Sequence, residues 1–102
     1  MNKNVNWLEF KFGVHQHEDV WSSLGGIYIF CGLKFQRDWY PFYIGQAASF
    51  RDRLQSHEQW LPAKKLGATH VHAMAVPNKN QRDEIEKKLI QAFKPSLNTQ
   101  LK

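Results

Sequence analysis

The sequence predicts an α+β domain, a small antiparallel sheet with helices packed on it. Three observations carry that expectation. Two runs rich in β-branched and aromatic residues, IYIFCG at 27–32 and YPFYIG at 40–45, flank a polar stretch. A third such run, THVHAMAV at 69–76, comes later and alternates in the same way. Between and after these runs lie segments with apolar residues at helical spacing, the best of them QRDEIEKKLIQAF at 81–93.

Bulk properties bound the rest. A chain of 102 residues supports one core, burying roughly 60–70% of the surface its unfolded form exposes. With 42% hydrophobic and 14% aromatic residues the composition is globular, which excludes a disordered chain. Fourteen Lys and Arg against nine Asp and Glu give a net charge of +5, the balance expected of a protein with a polyanionic partner. Cys31 stands alone, so no internal disulfide or cysteine-rich zinc site can form. The N-terminus MNKNVNWLEF lacks a signal-peptide core, and no run approaches the roughly 20 apolar residues of a membrane span. The expected location is cytoplasmic and nucleoid-associated, neither secreted nor at a membrane.

Along the chain, residues 1–24 read as a lead-in packed on the domain, residues 25–98 as the domain proper and residues 99–102 as a tail. In the lead-in, Trp7, Phe10, Phe12 and Val14 alternate closely enough for an extra N-terminal strand. HEDVWSSLGG reads as a turn ending at Gly25 and Gly26. LKFQRDW at 33–39 reads as the loop joining the first two β runs into a hairpin, and Pro41 means that the second strand starts after it or lies at an edge. Ser49 can cap a helix carrying Phe50 and Leu54 on one face. PAKKLG forms a short second helix closed by Gly67. The last helix buries Ile85, Leu89, Ile90 and Phe93, is capped by Asn80, and stops before Pro95.

Several residues are candidates for chemistry. A hairpin tip centred on residues 35 and 36 pairs Tyr28 with Tyr43, which makes their phenols neighbours on one face. Gly26 and Gly45 clear space beside them, leaving a ligand room to approach. Arg53 and His57, four apart, share a face and can act together. A guanidinium matches two phosphate oxygens in plane. Glu86 sits at the rim of the apolar face of the last helix, where a carboxylate can hold Mg²⁺. Lys34, Arg37, Arg51, Lys64 and Lys65 offer cationic contacts. His15 and His17, and His70 and His72, form H-x-H pairs with no third metal ligand at a recognisable spacing, and the second pair reads as the polar side of the third strand.

In order along the chain, Gly26-Ile27-Tyr28, Tyr43-Ile44-Gly45, Arg53 within YIGQAASFRDRLQSH, and Glu86 within EKKLIQAFKPSLN resemble the GIY-YIG nuclease domain family. The resemblance covers about residues 25–98, with no separate DNA-binding domain attached. It implies a small antiparallel three-stranded sheet flanked by helices, and divalent-metal-dependent endonuclease activity on DNA, nicking or structure-selective, with RNA also open. Through it, Tyr28 becomes the general base or the group that positions the attacking water, supported by Tyr43. Arg53 becomes the phosphate clamp, His57 a phosphate contact or proton relay, and Glu86 the ligand of one Mg²⁺ or Mn²⁺ ion per site. Gly26, Gly45, Gln46 and Asn98 become substrate-side positions, with Gln46 standing where some relatives carry lysine. Repair, recombination or a mobile element is the implied setting. The protein acts as a monomer or homodimer, with specificity open to supply by a partner protein. The alternative is a non-catalytic nucleic-acid-binding module that keeps the fold.

Overall fold

A computed structural model describes residues 3–99, the side chain of Thr99 excepted. The expected tail at 99–102 lies almost wholly outside the described residues, as do residues 1 and 2. The chain forms one five-stranded antiparallel sheet in the order β1-β2-β5-β3-β4. The strands are β1 (Asn4–Trp7), β2 (Phe10–His15), β3 (Gly26–Lys34), β4 (Asp38–Ala47) and β5 (His70–Ala75). Helices α1 (Phe50–Leu54) and α2 (Trp60–Leu66) join β4 to β5, and α3 (Lys79–Phe93) and α4 (Ser96–Thr99) follow β5.

The sheet is larger than the three strands expected. The N-terminal segment supplies a β1–β2 hairpin that pairs with β5, Val14 opposite His72. Trp7 and Phe12 of this hairpin are buried in the core. The turn between β1 and β2 holds Leu8 at φ 57, a conformation that closes a tight hairpin.

β3 is the centre of the fold. It pairs with β4 on one side and β5 on the other, and residues 26–32 are all buried. Tyr28 and Phe30 face one layer with Phe50, Leu54 and Ala63 from α1 and α2. Ile27, Ile29 and Cys31 face the other, with Ile44, Leu89 and Phe12, and with Ile85, Ile90 and Phe93 packed alongside. A strand covered on both faces loses its polar alternation, which is why IYIFCG is a continuous apolar run.

The β3–β4 hairpin is tighter and differently registered than expected. The strands run on to Lys34 and Asp38, so the loop shrinks to three residues, with Phe35 and Gln36 at φ 56 and 57. A bulge between Phe30 and Cys31 inserts Phe42 into β4. The pairing lies two residues from that expected, one from a tip centred on Gln36 and one from the bulge, setting Tyr28 opposite Gly45 and Phe30 opposite Tyr43. A bulge of this kind adds one residue to one strand and shifts everything beyond it.

The helices differ at their ends. α1 is capped as expected, Ser49 Oγ accepting from Asp52 N at 3.3 Å. The preceding loop satisfies the two N–H groups before it: Phe50 N donates to Leu24 O and Arg51 N to Ser22 O. α1 stops at Leu54, so His57 lies outside it and the shared helical face of Arg53 and His57 does not form. Pro62 falls in the first turn of α2, where no N–H partner is needed. α3 starts two residues earlier than expected, and its cap is Asn78, whose Oδ1 accepts from Gln81 N at 2.9 Å. Asn80 is a helical residue.

His72 also departs from expectation. It is fully buried and its Nδ1 accepts from Trp7 Nε1 at 3.0 Å. The face it occupies was expected to be open, but the N-terminal hairpin covers it. That bond places the ring proton on Nε2, which finds no hydrogen-bond partner among the described residues and sits in a ring packed edge-to-face on Trp39 at 4.3 Å.

Burial lowers the His72 pKa from 6.5 to about 4, with His70 and His15 adding to the effect. Because the folded pKa lies below the unfolded one, the neutral ring contributes its full stability above pH 6.5 and loses it as pH falls through about 4. Protonating the ring inside the sheet costs about 3 kcal/mol. Thermal melts between pH 7 and 4 are expected to show falling stability, with a shallower slope in His72→Gln, which keeps an acceptor for Trp7 without titrating.

Candidate active site

The sheet face carrying Tyr28 gathers the aromatic part of the site. β3 supplies Tyr28 and Phe30, and β4 supplies Tyr43, diagonal to Tyr28 across the shifted register. The two phenol rings lie 6.3 Å apart. The turn after α1 delivers His57, 6% exposed, whose Nε2 is 2.7 Å from Tyr28 Oη. Its ring also packs edge-on against Phe30 at 4.9 Å and Tyr43 at 5.2 Å. His57 is thus a member of the core that touches both phenols.

Backbone geometry sets the His57 tautomer. Gln59 N donates to His57 Nδ1 at 3.0 Å, so the neutral ring carries its proton on Nε2 and donates it to Tyr28 Oη. The pKa of His57 falls to about 4, first through burial and next through the Arg53 charge. At neutral pH the imidazole is therefore an uncharged donor to the phenol oxygen.

Glycines shape the site differently from expectation. A Cβ on Gly45 would lie 2.6 Å from Tyr28 Oη, and one on Gly26 would lie 2.1 Å from Met74 O and 2.5 Å from the Phe50 ring. Both spaces are filled by the protein. Gly45 lets the Tyr28 ring fold across β4, and Gly26 lets β3 and β5 approach under α1.

Burial holds the Tyr28 phenol well above its ordinary pKa, and Tyr43, Glu86 and Glu58 push the same way against Arg53. Tyr43, half-buried, is raised by the same causes, with burial first. The Arg53 charge draws the Tyr28 phenol toward ionisation, but burial outweighs it. Arg53 is itself engaged: its two terminal nitrogens meet Glu58 Oε1 and Oε2 at 2.9 and 2.7 Å. Arg53 in turn draws Glu58 down to about 2. Glu58 went unmarked in the sequence. An acid five residues past an arginine is a signal only once α1 is known to end at Leu54, so that the chain can turn back.

On the other rim, α3 presents Glu86. Gln46 Nε2 donates to Glu86 Oε1 at 3.0 Å and to Asp83 Oδ1 at 2.7 Å, while Gln46 Oε1 accepts from Arg82 Nε at 3.2 Å. Arg82, 7% exposed, is anchored on Val76 O and Pro77 O. Asp83 and Glu86 are three apart on one helix, a spacing that shares a face, and that was the available signal for Asp83. Asn98 Oδ1 accepts from Ile44 N and its Nδ2 donates to Ile44 O, both at 2.8 Å. The amide thus acts as a short strand partner for the edge of β4 beside Tyr43.

Tyr28, Tyr43 and His57 are in mutual contact, and the charges of Arg53, Glu58 and Glu86 are felt at both phenols. Lys34 and Arg37 stand at the hairpin tip, and Arg51 faces a separate cleft with Trp21 and Gln55. No group of three or more metal-ligating side chains occurs among the described residues, so neither H-x-H pair completes a site. None of their helices is long and apolar enough to cross a membrane.

Gly45→Ala is expected to displace the Tyr28 ring and break its bond to His57. The measurement is the His57 Nε2 resonance together with the melting temperature. A destabilisation of about 1–3 kcal/mol is the expected scale for overpacking, and an unchanged His57 signal would contradict this geometry.

No protein-family model matches the chain, and no curated protein matches it. Solved structures do. The GIY-YIG N-terminal endonuclease domain of UvrC from Thermotoga maritima, bound to its catalytic divalent cation magnesium, superposes with a TM-score of 0.61 at 23% identity, covering 74% of this chain and 84% of that one. A tyrosine-to-phenylalanine mutant of the same domain, bound to its catalytic divalent cation, gives a TM-score of 0.59 at 25% identity, covering 74% and 83%. The fold of this chain is that of the GIY-YIG endonuclease domain.

Proposed function

We propose that this protein is a metal-dependent DNA endonuclease that hydrolyses phosphodiester bonds on the Tyr28 face of its sheet. The observation that carries the reading is the convergence on two phenols of a buried neutral imidazole, a guanidinium and a carboxylate, in a fold shared with an endonuclease domain. A cleft of about 480 Å³ reaches His57 and Glu58 from the α1–α2 side.

Arg53 is oriented for a phosphodiester. Its fork already grips two oxygens of Glu58, the geometry a phosphate presents. The pair is exposed, and such pairs hold by about 0–1 kcal/mol, so a phosphate can take the carboxylate's place. Arg53 then opposes charge building on the phosphoryl oxygens. Once its own proton has passed to solvent, the Tyr28 phenolate, held from behind by the His57 Nε2–H, accepts the proton of the attacking water, and Tyr43 positions that water from the half-buried side.

Glu86 fits a hard cation. Its Oε1 is fixed by Gln46, and its Oε2 accepts no hydrogen bond among the described residues. Mg²⁺ is commonly held by one or two carboxylates with several waters retained, so a single Glu86 ligand suffices. When bound, one Mg²⁺ or Mn²⁺ ion supplies Lewis-acid stabilisation where charge develops on the phosphate and leaving oxygens.

Cleavage of supercoiled, linear, flap and junction DNA with Mg²⁺ or Mn²⁺ tests the reading. Glu86→Ala is expected to abolish cutting with the fold intact, and Arg53→Ala to lower kcat/KM by about 10²–10³. Retained cutting by a clean Glu86→Ala preparation would sink it. Because the Tyr28 and Tyr43 phenols are held above their ordinary pKa, the base form is scarce at neutral pH and kcat/KM is expected to rise with pH above 7. A flat profile would reduce Tyr28 to a positioning role. Glu58→Gln frees Arg53 and is expected to lower KM roughly 2–5-fold.

A further inference from the structure

The far end of the β3–β4 hairpin carries aromatic surface that neither the core nor the phenol site uses. Phe35 is 84% exposed although its φ is 56. That conformation is strained for a bulky side chain, and here the strain serves no packing. Tyr40 is 43% exposed and its ring lies 5.2 Å from that of Phe42. Together with Lys34 and Leu66, Tyr40 and Phe42 line a cleft of about 290 Å³ between the hairpin and the end of α2. Its floor is closed by a backbone contact that no side chain could enter, since a Cβ on Gly32 would sit 2.2 Å from Gly67 O.

The charge around this cleft is cationic. Lys34 Nζ lies over Tyr40 at 5.0 Å and over Phe35 at 6.0 Å. Although Asp38 is its strand partner, Lys34 forms no salt bridge among the described residues. Arg37 is exposed at the tip, and Lys64 and Lys65 are exposed on the last turn of α2, next to Leu66. Flat exposed rings interleaved with unpaired cations are the surface that takes up unstacked bases while the cations follow the phosphates. Duplex DNA keeps its bases stacked and offers the rings nothing. Tyr40 is three residues from Tyr43, about 10 Å along the strand, within the span of a few nucleotides.

We propose that Phe35, Tyr40 and the cleft beside them form a stacking subsite for unpaired bases of single-stranded DNA. The subsite makes the protein select DNA with a single-stranded segment next to the scissile bond. The choice of DNA as the ligand rests on the nuclease reading above. The stacking itself rests on the hairpin.

The test is binding by the full chain in EDTA, where no cutting occurs. Fluorescence anisotropy compares a short oligothymidylate with a blunt duplex of equal length, and 2-aminopurine in the single strand reports stacking. Phe35→Ala and Tyr40→Ala are each expected to weaken single-strand binding about 10-fold, to relieve 2-aminopurine quenching, and to change duplex binding less than twofold. Phe35→Trp restores both signals. Equal losses for single strand and duplex would overturn the proposal, as would no loss at all. A Phe35→Ala change in sedimentation with unchanged single-strand affinity would also overturn it, by assigning the patch to protein contact. If the wild type shows selective binding but cuts nothing with Mg²⁺ or Mn²⁺, the nuclease reading falls and the subsite stands. Cutting without selective binding gives the reverse.

Discussion

The contact between the Tyr28 ring and Gly45 is the constraint on which the rest of the site depends. It exists because the bulge at Phe30 and Cys31 moves the β3–β4 register until Tyr28 opposes a residue with no side chain. Any Cβ there would strike the phenol oxygen. With the ring laid across β4, its hydroxyl reaches His57 at the end of the turn after α1. That turn can deliver His57 only because α1 ends at Leu54. Register, bulge, glycine and helix length therefore act as one device that fixes a single phenol oxygen.

The electrostatics follow from burial more than from charge pairing. Tyr28 and His57 are both driven toward their neutral forms, and the hydrogen bond between them is one the neutral forms make well. The charges stay at the rims, where they remain solvated: Arg53 with Glu58 on one side, and Glu86 with Asp83 under the Gln46 amide on the other. A lysine at position 46 would bring its own charge to that rim. Gln46 instead turns a buried arginine into an orienting contact for a carboxylate, because its oxygen is committed to Arg82 and its nitrogen must then face Glu86.

The N-terminal hairpin makes the sheet self-sufficient. Without it, β5 would be an edge and His72 a solvated residue. With it, Trp7 and Phe12 close the second layer, the Lys88 ammonium reaches Glu9 at 2.6 Å from α3, and a histidine is taken out of water with one nitrogen unpaired. Asn98 performs the matching task at the opposite edge, using a side-chain amide in place of a strand.

The α+β class, the order of elements from β3 to α3, the Ser49 cap and the apolar face of α3 were legible from the sequence because they depend on periodicity and capping within a few residues. The Gly-Ile-Tyr and Tyr-Ile-Gly triplets, Arg53 and Glu86 stand in an order that marks them as candidates. Tertiary structure decided how they meet. A pairing register depends on one inserted residue that leaves no local mark, so Tyr28 opposite Gly45 could not be read from spacing alone. The fate of His72 depended on whether a distant segment would cover it, and that of Arg53 on a chain reversal that brings back Glu58. Composition told that the chain was basic and aromatic, but which rings would be left in solvent beside unpaired cations was settled only when the core had taken the others.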